Sequence, residues 1–450
     1  MTHDTLDPFA MFRHALDGID RSSPVGRISQ LDARGFLVEG LSDHARLGDD
    51  VIYRDEADTP HRAEVVKIGR DGLWATPLGP AAGLKIGLGV QPAGAPAICP
   101  DRSWIGRVVD PFGRPLDGRP IGGGLARPLR NAPPEAGRRR AMGARQATDL
   151  AVLDTMLPIV AGQRVGLFAG SGVGKSTLLG QLARRMAADV CVLALVGERG
   201  REVSDFVNTV LGPTGMARTV VMAATSDMPA TLRRRCAASA MTVAEYFRDR
   251  GLRVLFLLDS VTRVAEAHRE IAAGSGEAAE LRGHPPSLVP LLASLAERAG
   301  PGVDDQGDIT AVFSVLVAGS DMEEPVADIV RGQLDGHIVL SREIAEAGRF
   351  PAVDVLRSVS RSLPRAATAE ENALITEVRK LLAIQDRSEL MVSSGLYERG
   401  SNAEIDRATA LVPRLNDAFT RTDMPEVSAS FAKIAEILGR QYLRRSGGPG

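Results

Sequence analysis

From about residue 150 to about 365 the chain repeats one pattern: a short, continuously apolar run, a break, then a longer amphipathic stretch. The apolar runs are Val165–Ala169, Val190–Val196, Val220–Ala223, Val254–Leu258, Ile309–Leu316 and His337–Leu340. Runs without polar alternation suit strands covered on both faces, as in a parallel sheet with helices on either side. One helix is well marked: Pro229 opens it, Gly251 closes it, and Leu232, Cys236, Val243 and Phe247 share its inner side. The pattern predicts an α/β domain with its chemistry at the carboxyl ends of the strands.

The flanks read differently. Between 25 and 98 lie short β runs punctuated by Gly, Asp and Pro: Val25–Ile28, Gly35–Val38, Asp50–Tyr53, Ala63–Ile68, Leu73–Pro77 and Gly89–Pro92. Their regular spacing predicts a small antiparallel barrel. Ahead of it, Phe9, Phe12, Leu16 and Ile19 form one apolar stripe on a helix, packed on its own body or offered to a partner. Residues 119–147, rich in Pro, Gly and Arg, read as an irregular connection, with Arg138-Arg-Arg140 a solvated charge run. From about 368, charged segments such as Glu370–Asp386 and Ile405–Thr420 predict a helical C-terminal domain.

Composition narrows the function classes. The 450 residues carry a net charge of −2 and 4% aromatics, so neither a basic field nor a stacking surface for nucleic acid is expected. Phe36, Tyr53 and Trp74 fall in the barrel region without a basic cluster, which argues against an RNA-translocating ring. Three widely spaced cysteines, Cys99, Cys191 and Cys236, suit reduced packing residues. No export signal precedes the first β run and no apolar run approaches the ~18 residues of a membrane span, so a soluble cytoplasmic protein is expected. The histidines show no metal-ligand spacing, and Mg²⁺ held with a nucleotide is the one metal implied.

Candidate chemistry gathers around Ala169-Gly-Ser-Gly-Val-Gly-Lys-Ser176, a phosphate-loop motif between an apolar strand and a helix. Gly170, Gly172 and Gly174 let backbone N–H groups converge on phosphate oxygens beside Ser171 and Val173, and the helix N-terminus adds partial positive charge. Lys175 would reach the β- and γ-phosphates of ATP; Ser176, with Thr177 behind it, would sit on Mg²⁺. Asp259, ending the strand Val254-Leu-Phe-Leu-Leu-Asp259, is the second candidate metal residue. Past another strand end comes Val196-Gly-Glu-Arg-Gly-Arg-Glu-Val203. There Glu198 is the candidate to orient or deprotonate a water, Glu202 to hold a water on the metal, and Arg199 to contact nucleotide. Phe350 on a loop beyond the last strand could stack on adenine or be buried, and Arg361 could be an ion-pair partner or an arginine finger.

These residues resemble a known family from about residue 24 onward. Gly162–Ser176, Gly197-Glu-Arg-Gly-Arg-Glu-Val203, Leu258-Asp-Ser-Val-Thr-Arg263 with Arg269-Glu-Ile271, and Leu334–Arg342 look like the corresponding segments of type III export ATPases, which are similar to the catalytic β subunit of rotary ATP synthases. The tail Gly395-Leu-Tyr-Glu-Arg-Gly-Ser401, followed by Ile405-Asp406, resembles the export branch, and Val173 its flagellar side over the injectisome side. The resemblance implies Glu198 as catalytic glutamate, Phe350 in the place of an adenine-stacking tyrosine, and Arg361 as a finger acting across a homohexamer. It implies an N-terminal helix over 1–22 that binds an export regulator, a barrel over 23–98, a P-loop (RecA-like) ATPase domain over 99–367 and a helical domain over 368–450. It further implies export chaperones, flagellar substrates and the export gate as partners, with peripheral membrane association. Ala169 in place of the first loop glycine, Gly276–His284 and the arginine-rich connection 126–146 depart from the family pattern.

Overall fold

The computed structural model describes residues 23–442 apart from 82, 318–322 and 423–425. The expected N-terminal helix with Phe9, Phe12, Leu16 and Ile19 lies outside the described residues. The chain divides into two compact units, one reaching Pro96 and taking in Gly274–Gly276, the other running from Ala97 to Ala273 and from Glu277 onward.

The first unit is a closed six-stranded barrel of Gly26–Leu31, Phe36–Glu39, Gly72–Pro77, Pro60–Gly69, Asp50–Arg54 and Gly89–Gly94, in that order around the wall. Alternate residues point inward, so Ile28, Phe36, Val38, Val51, Tyr53, Val65 and Leu73 fill the interior. Phe36 and Tyr53 meet edge to face at 5.6 Å there. Two of the barrel's three candidate base-stacking aromatics are thus spent on its own core.

The second unit is built on a nine-stranded sheet. Its main path runs Val353–Ser360, Gly336–Leu340, Arg164–Ala169, Asp308–Leu316, Val254–Asp259, Val190–Glu198, Thr219–Thr225, Val108–Val109. The central strands are parallel, and every residue of Val254–Asp259 is buried, which explains their unbroken apolar runs. Val353–Ser360 is an antiparallel edge strand that the sequence did not mark, because its inward residues are interrupted by Asp354, Arg357 and Ser358. The helix expected from Pro229 spans Ala230–Arg248, with Pro229 as its N-cap. The C-terminal helices Ala369–Ser393, Ala403–Phe419 and Val427–Leu438 share a core with the sheet through Leu374, Val378, Leu415 and Phe431. A capping box between Thr368 and Glu371 starts the first of them.

The arginine-rich connection stays at the surface, with Arg138 and Arg140 exposed but ion-paired and Arg139 tucked in. Arg138 reaches Asp304 at 2.5 Å, and Arg140 reaches Asp308 at 2.7 Å. Arg139 donates to the carbonyls of Ala299 at 3.0 Å and of Glu297. Nearby, Arg298 is buried against Glu245 at 2.7 Å and donates to the Leu129 carbonyl at 2.9 Å, holding the connection to the helix Ala230–Arg248. Removing one partner of such a buried pair costs about 3–5 kcal/mol, because the other charge is stranded.

Candidate active site

The strand Arg164–Ala169 ends in the phosphate loop, and the helix Lys175–Arg185 starts directly from it. Gly172 and Gly174 have φ of 78° and 90°, values that side-chain-bearing residues rarely adopt. The turn can therefore curl its backbone inward. Ala169 and Val173 are buried beneath it, while Ser171, Gly172, Ser176 and Thr177 are exposed, with Gly170 between. Lys175 is buried, and its Nζ donates to Asp259 Oδ1. Ser314 Oγ donates to the same carboxylate oxygen at 2.8 Å. Ser314 sits on the adjacent strand and belongs to the site by geometry alone; no sequence motif marked it.

The strand Val190–Glu198 brings the second carboxylate to the same end of the sheet. Gly197, at φ 71°, makes the register with Thr219–Thr225 slip, and Glu198, opposite Thr225, ends the strand just after the slip. A Cβ on Gly197 would sit 3.1 Å from Arg263 Cβ, so the glycine also admits the helix Val261–Ser275. Burial pushes the Glu198 carboxyl up to about 7, helped by a hydrogen bond shared with Glu202 and by the negative charge of Asp259. The same shared bond lowers Glu202, which is exposed and lies 3.5 Å from Arg199. Arg263 pairs with Glu266 at 2.9 Å, and its Nε is buried without a hydrogen-bond partner. Its guanidinium is held above its ordinary value, chiefly by Glu266 and further by Glu198 and Glu202. Arg263 closes the family-like segment Leu258–Arg263, and the fold reveals its place beside these carboxylates.

Phe350 comes to this end from far along the chain. A Cβ on Gly174 would lie 3.4 Å from Phe350 Cδ1, and the ring is 50% exposed. It is not a core residue. Arg361 goes the other way. Its strand runs antiparallel to Gly336–Leu340, with Ser360 opposite Gly336, so Arg361 emerges at the amino ends of the parallel strands. Its backbone N–H donates to Asp335 O at 3.1 Å and its Nη1 to Leu334 O at 3.1 Å. A six-residue strand spans about 20 Å, more than an arginine side chain can bridge. Lys175, Ser176, Glu198, Glu202 and Asp259 are therefore brought together, and Arg361 is kept away from them.

Comparison with known proteins identifies what this arrangement belongs to. The nucleotide-binding domain of the ATP synthase alpha/beta family matches residues 149–360, and the T3SS EscN ATPase C-terminal domain matches residues 367–436. The flagellum-specific ATP synthase of Bacillus subtilis is 41% identical over 414 residues, covering 90% of this chain and 94% of the relative. The chain belongs to this family of flagellar and type III secretion ATPases. Among solved structures, the assembled ATPase EscN of the enteropathogenic E. coli type III secretion system aligns with a TM-score of 0.84 at 35% identity, covering 92% of this chain and 99% of that one. EscN in complex with its central stalk EscO aligns with a TM-score of 0.80 at 35% identity, with coverage of 92% and 99%. As a member of the family the chain is an ATPase, with a nucleotide as its substrate.

Proposed function

We propose that the chain is the ATP-hydrolysing subunit of a flagellar type III protein export apparatus, driving chaperone release and the unfolding of exported flagellar proteins. It would work as a homohexamer, peripheral at the cytoplasmic face of the basal body, with residues 1–22 binding an export regulator. No helix among the described residues is long and apolar enough to cross a membrane, in keeping with peripheral attachment to the export gate. The observation that carries the reading is the opposed placement of the catalytic groups. One end of the sheet gathers Lys175, Glu198 and Asp259, and the other presents Arg361.

Lys175 and the inward-curled backbone of the loop bind the phosphates of ATP, and Lys175 exchanges its Asp259 partner for phosphate oxygens. The residues present fit Mg²⁺: the exposed Ser176 hydroxyl at the helix start, the Asp259 carboxylate held by Ser314, and the exposed Glu202 carboxylate are hard oxygen donors. Mg²⁺ bound there supplies charge neutralisation on the β- and γ-phosphates. Glu198 orients the attacking water and takes its proton, and a carboxyl raised to about 7 is poised for that exchange near neutrality. Arg199, exposed next to Glu198, adds positive charge, and Phe350 supports the adenine ring. Arg361 reaches the γ-phosphate held by the neighbouring copy.

The test is the hydrolysis rate per subunit against protein concentration. A steep rise is expected as rings form, and a flat specific activity down to monomeric concentrations overturns the shared site. Restored swimming in a strain lacking its own flagellar export ATPase checks the cellular role. Rescue only of a strain lacking an injectisome ATPase moves the reading to that branch.

A further inference from the structure

The loop around Gly348–Pro351 carries two adjacent side chains that serve different parts of the second unit. Phe350 leans on the phosphate loop beside Gly174. Arg349, one residue earlier, turns the other way, and its Nη1 donates to Oδ1 of Asn416 on the C-terminal helix Ala403–Phe419. The turn is set by Gly348 at φ 77°, and the Arg349 N–H donates to Ile344 O at 3.2 Å.

Arg349 is an odd residue to spend on this contact. Burial pulls its guanidinium below the ordinary value, and Asp354 offsets this only in part. A half-buried cation gains most from a carboxylate, yet here the acceptor is a neutral amide. The arrangement is therefore poor as a stability device and specific as a tether. Arg349 and Phe350 are joined by a single peptide in this loop, so fixing Arg349 restricts the backbone from which Phe350 departs. Phe350, half exposed, has little packing of its own to set that direction.

We propose that Asn416 is a positioning residue for the adenine-facing aromatic: by holding Arg349 it orients Phe350 over the nucleotide and couples base binding to the seat of the helix Ala403–Phe419. This rests on reading Phe350 as the base-stacking residue. The coupling runs both ways: a nucleotide that orders Phe350 favours the Arg349–Asn416 contact, and a displacement of the helix weakens base binding.

The experiment uses the full chain in steady-state ATP hydrolysis, with inorganic tripolyphosphate as a competing ligand that has phosphates but no base. Asn416→Ala is expected to raise KM for ATP about three- to tenfold, a part of what base stacking is worth. Its kcat stays within about twofold and tripolyphosphate inhibition is unchanged. Asn416→Asp, which keeps the acceptor, restores KM even if Asn416→Ala lowers Tm. Phe350→Ala raises KM at least as much, and Asn416→Ala adds nothing in that background. An unchanged KM in Asn416→Ala overturns the proposal. So does an equal KM increment in the Phe350→Ala background, or equally weakened tripolyphosphate inhibition. A normal KM in Phe350→Ala overturns the stacking reading itself, whatever Asn416→Ala does.

Discussion

The two ends of the central sheet carry charge of the same kinds but treat it in opposite ways. At the amino ends Arg164, Asp335, Glu297 and Arg139 are joined in one ion-pair network. Arg164 donates from its backbone N–H and Nε to Asp335 Oδ2, both at 3.0 Å, and from Nη1 to Glu297 at 2.5 Å. Arg139 closes the chain of charges on Glu297 at 3.7 Å. At the carboxyl ends Lys175 is paired with Asp259, but two carboxyls, Glu198 and Glu202, share one hydrogen bond, and the Arg263 Nε has no partner. Under-compensated charge marks where a charged ligand is to arrive, and compensated charge makes a stiff shelf. Arg361 hangs on that shelf through the carbonyls of Leu334 and Asp335. Such a fixed mounting suits the role proposed for Arg361 at a site on another copy of the chain.

The comparison breaks most clearly on the shared site. Arg361→Ala should lower kcat by about 10³–10⁵, as for trans arginines in related hydrolases. Lys175→Ala should be equally dead, with no nucleotide bound. Mixing the two inactive proteins should recover activity, since some interfaces then pair an intact phosphate loop with an intact finger. Phosphate release from the mixture measures this, and no recovery in rings shown to contain both proteins removes the trans assignment. Glu198→Gln comes next, with a loss of about 10²–10⁴ in kcat and retained nucleotide binding. Near-normal turnover in that variant takes away its role as base.

The amino ends predict a stability effect of a different kind. Asp335→Ala leaves Arg164 largely buried with one fewer carboxylate, and should cost about 3 kcal/mol by denaturant unfolding. Nucleotide affinity at the far end should be unaffected. A neutral result would mean that the paired shelf is solvated decoration.

What the sequence could convey follows from the same contrast. The phosphate loop and the strands behind it are local: glycines at fixed spacing, an apolar run and a helix start are all read within twenty or so residues. The carboxyl-end residues Glu198 and Asp259 were legible because each ends a marked strand. The amino-end network was not, because Arg139 meets Glu297, and Arg164 meets Asp335, across more than a hundred residues of chain. Arginines 138–140 read as solvent-facing charge, which holds for Arg138 and Arg140 but not for Arg139. Ser314 escaped for another reason: a serine inside a buried strand carries no pattern until the neighbouring strand brings Asp259 beside it. The edge strand Val353–Ser360 was masked by the polar residues that an edge tolerates. The same strand decides which end of the sheet Arg361 leaves from, so that placement too had to come from the fold.

The smallest expected effect tests the uncompensated pair at the carboxyl end. Glu198 has a folded value of about 7 against an ordinary 4.5. As a base it must be ionised, so kcat/KM should fall as the pH is lowered through about 7. The stability sign is the reverse. Between 4.5 and about 7 the folded protein keeps a proton that the unfolded chain has released, so this group's contribution is lost as the pH rises through that window. Glu198→Gln should flatten the slope of unfolding midpoint against pH over the same range. Glu202→Ala removes both the shared hydrogen bond and a like charge, and each of these raises Glu198. The acid limb of the pH–rate profile should therefore move to lower pH, by about one unit. A limb that stays in place would mean that burial alone sets Glu198, and that Glu202 belongs electrically with Arg199.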